Sequence, residues 1–128
     1  MPQKVVVIIE DDRIIVQLLT VYLKNKGYQV YSAHTGPDGL ELVKTVKPDA
    51  LILDLMLPRL SGIEICRRLR ELDEFKTLPV VIVSARADGL TKERAKEVGA
   101  TTYFVKPVDL PTLHQELDGL LQAKSVAD

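Results

Sequence analysis

Val5-Val6-Val7-Ile8-Ile9 is apolar at every position. A strand with one wet face alternates apolar and polar residues. A β-branched run with no alternation belongs to a strand covered on both faces. Ala50-Leu51-Ile52-Leu53 and Val80-Val81-Ile82-Val83 repeat the pattern. Between the first two runs, Ile14, Ile15, Leu18, Leu19, Tyr22 and Leu23 recur at helical spacing. Strand-like and helix-like segments alternate to the end of the chain as βαβαβαβαβα. That order gives an α/β fold: a doubly wound (βα)5 domain with a five-stranded parallel sheet and helices on both faces. The 128 residues suit one domain with one core.

Local signals set the element ends. Asn25-Lys26-Gly27 closes the first helix, with Gly27 just past its last turn. Gln29 to Ala33 is a half-polar strand suited to a sheet edge. Thr35-Gly36-Pro37 opens the second helix, whose inner face is Leu40, Val43 and Val46. Ser61-Gly62-Ile63-Glu64 has the capping-box pattern, in which Ser61 accepts from the backbone of residue 64 and Glu64 reaches back. The helix that follows turns Ile63, Cys66 and Leu69 inward and Arg67 and Arg70 outward. A short helix near 91–98 ends at Gly99-Ala100. Asp109 caps a last helix carrying Leu113, Leu117, Leu120 and Leu121. Residues 1–122 form the domain, and 123–128 read as a C-terminal tail.

Composition narrows the possibilities. A formal net charge of -1 provides no global basic field to recruit nucleic acid. The only cysteine, Cys66, cannot form an internal disulfide; it reads as a small core hydrophobe and suits a reducing, cytoplasmic setting. No apolar stretch approaches the roughly 20 residues needed to span a bilayer, so a membrane role is not expected. No phosphate-binding glycine motif of the G-x-G-x-x-G or G-x-x-x-x-G-K-[ST] type occurs.

The chemistry lies where the runs stop. The first ends at Glu10-Asp11-Asp12, the next at Asp54, the next at Ser84, and Thr101-Thr102-Tyr103-Phe104-Val105 ends at Lys106. In a parallel sheet these groups line one edge, where open α/β sheets bind ligands. Adjacent acids repel and favour a bound cation, and Glu10, Asp11 and Asp54 offer the oxygen donors that hard divalent ions take. Asp12 suits a helix cap. A carboxylate at the rim of a buried strand can attack phosphorus and form an acyl phosphate. The negative charge of nucleophile and phosphoryl group opposes that attack, and a metal ion and an ammonium offset it. Lys106 supplies the ammonium and Ser84 a donor for a phosphoryl oxygen.

Five motifs in this order resemble the receiver domain of response regulators, the phosphorylatable half of two-component signalling. They are Ile9-Glu10-Asp11-Asp12; Leu53-Asp54-Leu55-Met56-Leu57-Pro58 with Ser61-Gly62; Ile82-Val83-Ser84-Ala85; Gly99-Ala100; and Tyr103-Phe104-Val105-Lys106-Pro107. The resemblance covers roughly residues 4 to 122 and implies a CheY-like, flavodoxin-like strand order 2-1-3-4-5. It implies that Asp54 takes a phosphoryl group from a sensor histidine kinase or histidine phosphotransfer protein. Mg²⁺ (or Mn²⁺) would be held by Asp11, Asp54, the Met56 carbonyl and, through water, Glu10. Lys106 and Ser84 would contact the phosphoryl group, and Ser84 with Tyr103 would form the switch. The Lys106-Pro107 bond is commonly cis in this family. The face built from residues 91–122 would then change shape for a downstream target or output domain. Such a domain is a phosphoacceptor rather than an enzyme, with weak self-phosphorylation and autodephosphorylation.

Three rivals remain at this point. Aspartate-nucleophile phosphatases resembling the haloacid dehalogenases need a second Asp two residues on, where Met56 stands. A flavodoxin-shaped nucleotide module lacks its glycine loop here. A degenerate receiver acting only as an adaptor would lack required groups, and all are present.

Overall fold

A computed structural model describes residues 3–127. The elements follow in order as β1 (Val5–Ile9), α1 (Arg13–Asn25), β2 (Gln29–Ala33), α2 (Gly36–Val46), β3 (Ala50–Leu53) and α3 (Gly62–Arg70). After a 3-10 turn at Asp73–Phe75 come β4 (Val80–Ser84), α4 (Gly89–Glu97), β5 (Thr102–Val105) and α5 (Leu110–Ala127). The strands form one sheet ordered β2-β1-β3-β4-β5, parallel throughout. The half-polar strand β2 sits at the edge, as its composition implies.

Because strand side chains alternate between faces, each apolar run feeds two cores. Val7, Ile9, Leu51, Leu53, Val80 and Ile82 pack with Leu40 and Val43 of α2 and with Ile65, Cys66 and Leu69 of α3. Val6, Ile8, Ala50, Ile52, Val81 and Val83 pack on the other face with Leu19 and Leu23 of α1 and Leu113, Leu117 and Leu121 of α5. This double burial is the physical reason that the runs show no polar alternation.

The caps form largely as the side chains dictate. Asp12 accepts from the amides of Ile14 and Ile15, Thr35 from Asp38, and Ser61 from Glu64. Asp109 accepts from the Thr112 amide at the start of α5. Gly27 and Gly99 take positive φ values of 95° and 99°, which a side chain would oppose.

Two expectations need correction, and two further features were not visible in the sequence. Glu64 does not reach back to Ser61; its carboxylate pairs with Arg67 and Arg68, one helical turn on. Arg70 is not an outward residue. Its guanidinium bends back to carbonyls of Phe75 and Gly99. The apolar stripe of α1 is wider than the sheet beneath it: Leu19 and Leu23 are buried, but Ile14 is 71% and Leu18 58% exposed. Helix α5 runs from Leu110 to Ala127, and nothing in Lys124-Ser125-Val126-Ala127 breaks a helix. Asp128 lies outside the described residues.

Candidate functional site

The parallel register brings the ends of the central strands to one rim of the sheet. Ile9 pairs with Leu53, Leu53 with Ile82, and Ser84 with Val105. The residues that follow β1, β3 and β5 (Glu10, Asp54 and Lys106), and Ser84 at the end of β4, therefore share that rim. The Asp54 amide donates to the Ile9 carbonyl, and the Lys106 amide to the Ser84 carbonyl, so the ladder continues one step past the strands.

Lys106 bridges two acids. Its Nζ lies 2.5 Å from Glu10 Oε1 and 3.3 Å from Asp54 Oδ2. Glu10 and Asp54 are 3% and 5% exposed, so the charges sit close to the core. Burial, with neighbouring Asp54 adding to it, pushes the Glu10 carboxyl up to about 7 against the pull of Lys106. Burial also opposes charge on Lys106. The hydrogen bond to Glu10 and the negative charge of Asp54 outweigh it and hold the ammonium above its ordinary value.

Asp11 completes an acidic group. Glu10, Asp11 and Asp54 each place a carboxylate oxygen within 4.8 Å of the others. Three acids against one ammonium leave a local excess of negative charge, and two of the acids are buried. The donor set is all oxygen, as a hard divalent cation requires. These residues fit Mg²⁺. A cation there would relieve the desolvation that drives Glu10 upward.

The other expected residues lie around this centre. Met56 donates its amide to Asp54 Oδ1 at 3.2 Å, while its side chain is exposed. Ser84 is fully buried, and its Oγ accepts from the Arg86 amide at 3.2 Å. Tyr103, on β5, donates its hydroxyl to the Arg86 carbonyl at 2.7 Å. The Lys106-Pro107 bond is cis. Glu10, Asp11, Asp54 and Lys106 thus come together directly, whereas Ser84 and Tyr103 meet each other through the backbone of Arg86.

Two contacts at the site were not visible in the sequence. Gly62, which opens α3 and stands with Ser61 in the second motif, lies so close to the Asp54–Leu55 backbone that a Cβ would come within 2.3 Å of the Asp54 carbonyl oxygen. Its position right after a capping serine was the available hint. His34 sets its Nδ1 3.1 Å from the Glu10 carbonyl, and nothing in its sequence neighbourhood signals that contact.

Comparison with known proteins identifies the family and the fold. The family model of the response regulator receiver domain matches residues 6–118. The chain is 38% identical over 115 residues to the transcriptional regulatory protein AfsQ1 of Streptomyces coelicolor, covering 90% of this chain and 50% of that protein. It is 32% identical over 124 residues to the alkaline phosphatase synthesis transcriptional regulatory protein PhoP of Bacillus subtilis, covering 97% and 51%. The chain thus spans about half the length of these relatives. Among solved structures, the chemotaxis protein CheY4 of Vibrio cholerae superposes with a TM-score of 0.87 at 27% identity, over 93% of this chain and 99% of that one. A CheY-like receiver domain from Methanospirillum hungatei shares the fold with a TM-score of 0.93 at 23% identity, over 99% and 100%.

Proposed function

The chain belongs to the response-regulator receiver domains of two-component phosphorelay signalling, and from there we propose that Asp54 is the residue that takes the phosphoryl group. It is a signalling domain of a family that works with histidine kinases and output targets. The observation that carries the assignment is the bridge from Lys106 to both Glu10 and Asp54 at the rim of the sheet.

The chemistry follows from the groups at that rim. A carboxylate oxygen of Asp54 attacks the phosphorus of a phosphohistidine. The P–N bond breaks, the imidazole leaves with the electron pair and takes up a proton, and an acyl phosphate remains. Lys106 neutralises charge on the phosphoryl oxygens, and the Met56 amide already touches Asp54. Mg²⁺ bound by Asp11 and Asp54, with the Met56 carbonyl and Glu10 through water, would supply electrostatic stabilisation of the transferring group. Small phosphodonors serve the same site, and slow attack by water returns the free carboxylate.

The product adds about 1.5 to 2 negative charges and strong acceptor oxygens. Ser84 Oγ then donates to a phosphoryl oxygen and leaves the Arg86 amide. Tyr103 is tied to the carbonyl of the same residue, so it moves with that loop. A partner that prefers one arrangement reads the change.

The exposed Ile14 and Leu18 continue with Val21 into a groove of about 380 Å³ closed by Leu110. A second groove of about 370 Å³ shares Leu18 and Leu110 and runs to Lys106 and Pro107. Among the described residues no helix is long and apolar enough to cross a membrane. The buried Cys66, its thiol pushed up by burial, fits the cytoplasmic setting that this function requires.

The test is Mg²⁺-dependent labelling with a small phosphodonor such as acetyl phosphate. Asp54→Asn should abolish labelling and Asp11→Ala nearly so, and chelation of the metal should do the same to the unmodified protein. Label retained by Asp54→Asn overturns the assignment.

A further inference from the structure

Helix α4 is fastened unevenly. Of Gly89–Glu97, only Ala95 is buried. The last turn is held from outside by α3. Arg70 sends Nε and Nη2 to the Gly99 carbonyl at 3.1 and 2.7 Å, and Nη1 to the Phe75 carbonyl at 2.7 Å. One turn earlier on α3, the Cys66 thiol donates to the Val98 carbonyl at 3.4 Å. The Val98 and Gly99 carbonyls lie at the C-terminal end of α4, where a cation also opposes the helix dipole. Gly99 is fitted to this contact twice over. Its φ of 99° suits glycine, and a Cβ there would come within 2.9 Å of Arg70 Nε. Arg70 is partly buried, and its hydrogen bonds go to backbone rather than to an acid, so it acts as a fastener rather than a surface charge.

The first turn of α4 has no comparable hold. A Cβ on Gly89 would meet nothing within 4 Å, and Leu90 is 62% exposed. Its cap, Asp88, accepts from the Thr91 amide and hydroxyl and pairs with Arg86 at 2.9 Å, all at the surface. Arg86 is also the residue whose amide serves Ser84 and whose carbonyl serves Tyr103. Motion at Ser84 therefore enters α4 at its loose end.

We propose that α4 is a lever pinned at its C-terminal end by Arg70, so that movement at Ser84 swings the Gly89–Glu93 half about Gly99 while the last turn stays in place. Arg70 is a positioning residue, more than a turn of helix away from the end that moves. The surface that changes is then the one carrying Leu90 and Lys92, and the Glu97 end is a fixed reference. The lever rests on the reading of Asp54 as phosphoacceptor, but the pin does not.

Amide exchange separates the two. In the free protein, Arg70→Met should speed exchange at residues 97–100 at least tenfold and leave β1 and β3 unchanged. Gly99→Ala, which presses on the pin from the other side, should give the same regional pattern if Arg70→Met folds poorly. Exchange at 97–100 within twofold of the parent in either folded variant overturns the pin. With Mg²⁺ and beryllium trifluoride as a phosphoryl analogue, the parent should change at least tenfold at residues 86–93 and less than twofold at 97–100. In Arg70→Met the change should spread to 97–100. Equal changes at both ends of α4 in the parent, or none while Asp54 still labels, overturn the lever. Loss of labelling overturns the site assignment instead, with the free-protein comparison still standing.

Discussion

The half of the sheet that carries the acids differs from the half that responds to them. Strand β3 is buried at every position, and β1 at all but its first. Strand β5 is only half-buried along its whole length, and the helix before it buries one residue. Asp54 is rooted in the first region, Tyr103 and Lys106 in the second, and β4 with Ser84 joins them. The difference teaches a division of labour. A reacting carboxylate must be held still to within a fraction of an ångström. A responding element needs a second arrangement of similar free energy, which dense packing forbids.

Paired substitutions test that contrast. Leu51→Ala, in the fully buried strand, should cost about 2–5 kcal/mol in urea unfolding. Leu90→Ala, on the loose turn of α4, should fall within about 0.5 kcal/mol. Comparable losses at the two positions would erase the distinction. The same change at two glycines should even differ in sign. Gly62→Ala drives a Cβ against the Asp54 backbone and should destabilise by about 1–3 kcal/mol, with labelling of Asp54 reduced. Gly89→Ala meets open space and should stabilise by about 0.4–1 kcal/mol through the unfolded chain.

Titrations give a finer and smaller reading. Tyr28 is buried under the rigid half and donates to Asp118; burial and that neighbouring carboxylate push its phenol up to about 12. The folded chain then keeps a proton that the unfolded chain releases near 10. Stability should therefore fall as pH rises from about 10 towards 12, and Tyr28→Phe should remove that slope in unfolding measurements. Asp88 behaves oppositely. Its hydrogen bonds from Thr91, with Arg86 adding to them, hold it down to about 2 from an ordinary 3.8. The capped first turn of α4 is complete above about 3.8 and is lost as pH falls through about 2. The Thr91 amide resonance should follow that midpoint while β1 resonances stay put; a joint transition of the two would show that α4 is not independent.

Much of the framework was legible because of a two-sided burial rule. Unbroken runs at 5–9, 50–53 and 80–83 could only be inner strands, and their polar terminators could only share a rim. Glu10, Asp54 and Ser84 followed from those three runs, Lys106 from the partly polar run at 101–105, and their finer roles from the family resemblance. Periodicity reports that a residue is apolar, however, not whether the layer below is broad enough to cover it, so the exposure of Ile14 and Leu18 was hidden. Arg70 and Glu64 were misread for a related reason. A long charged side chain chooses among partners its own neighbourhood does not list, and Gly99 is 29 residues from Arg70. Gly62 showed itself as a helix start, but its close approach to Asp54 needed the third dimension.

The alternation of side chains between two apolar layers has a consequence for how this chain can change over time. Leu53 and Leu55, on either side of Asp54, both lie in the same oily interior. An aspartate moved one step along the chain in either direction would be drowned there, and a one-residue insertion in β3 would exchange the two interiors outright. The phosphoryl-accepting position therefore cannot migrate by small steps; it is tied to the phase of the strand that leads into it.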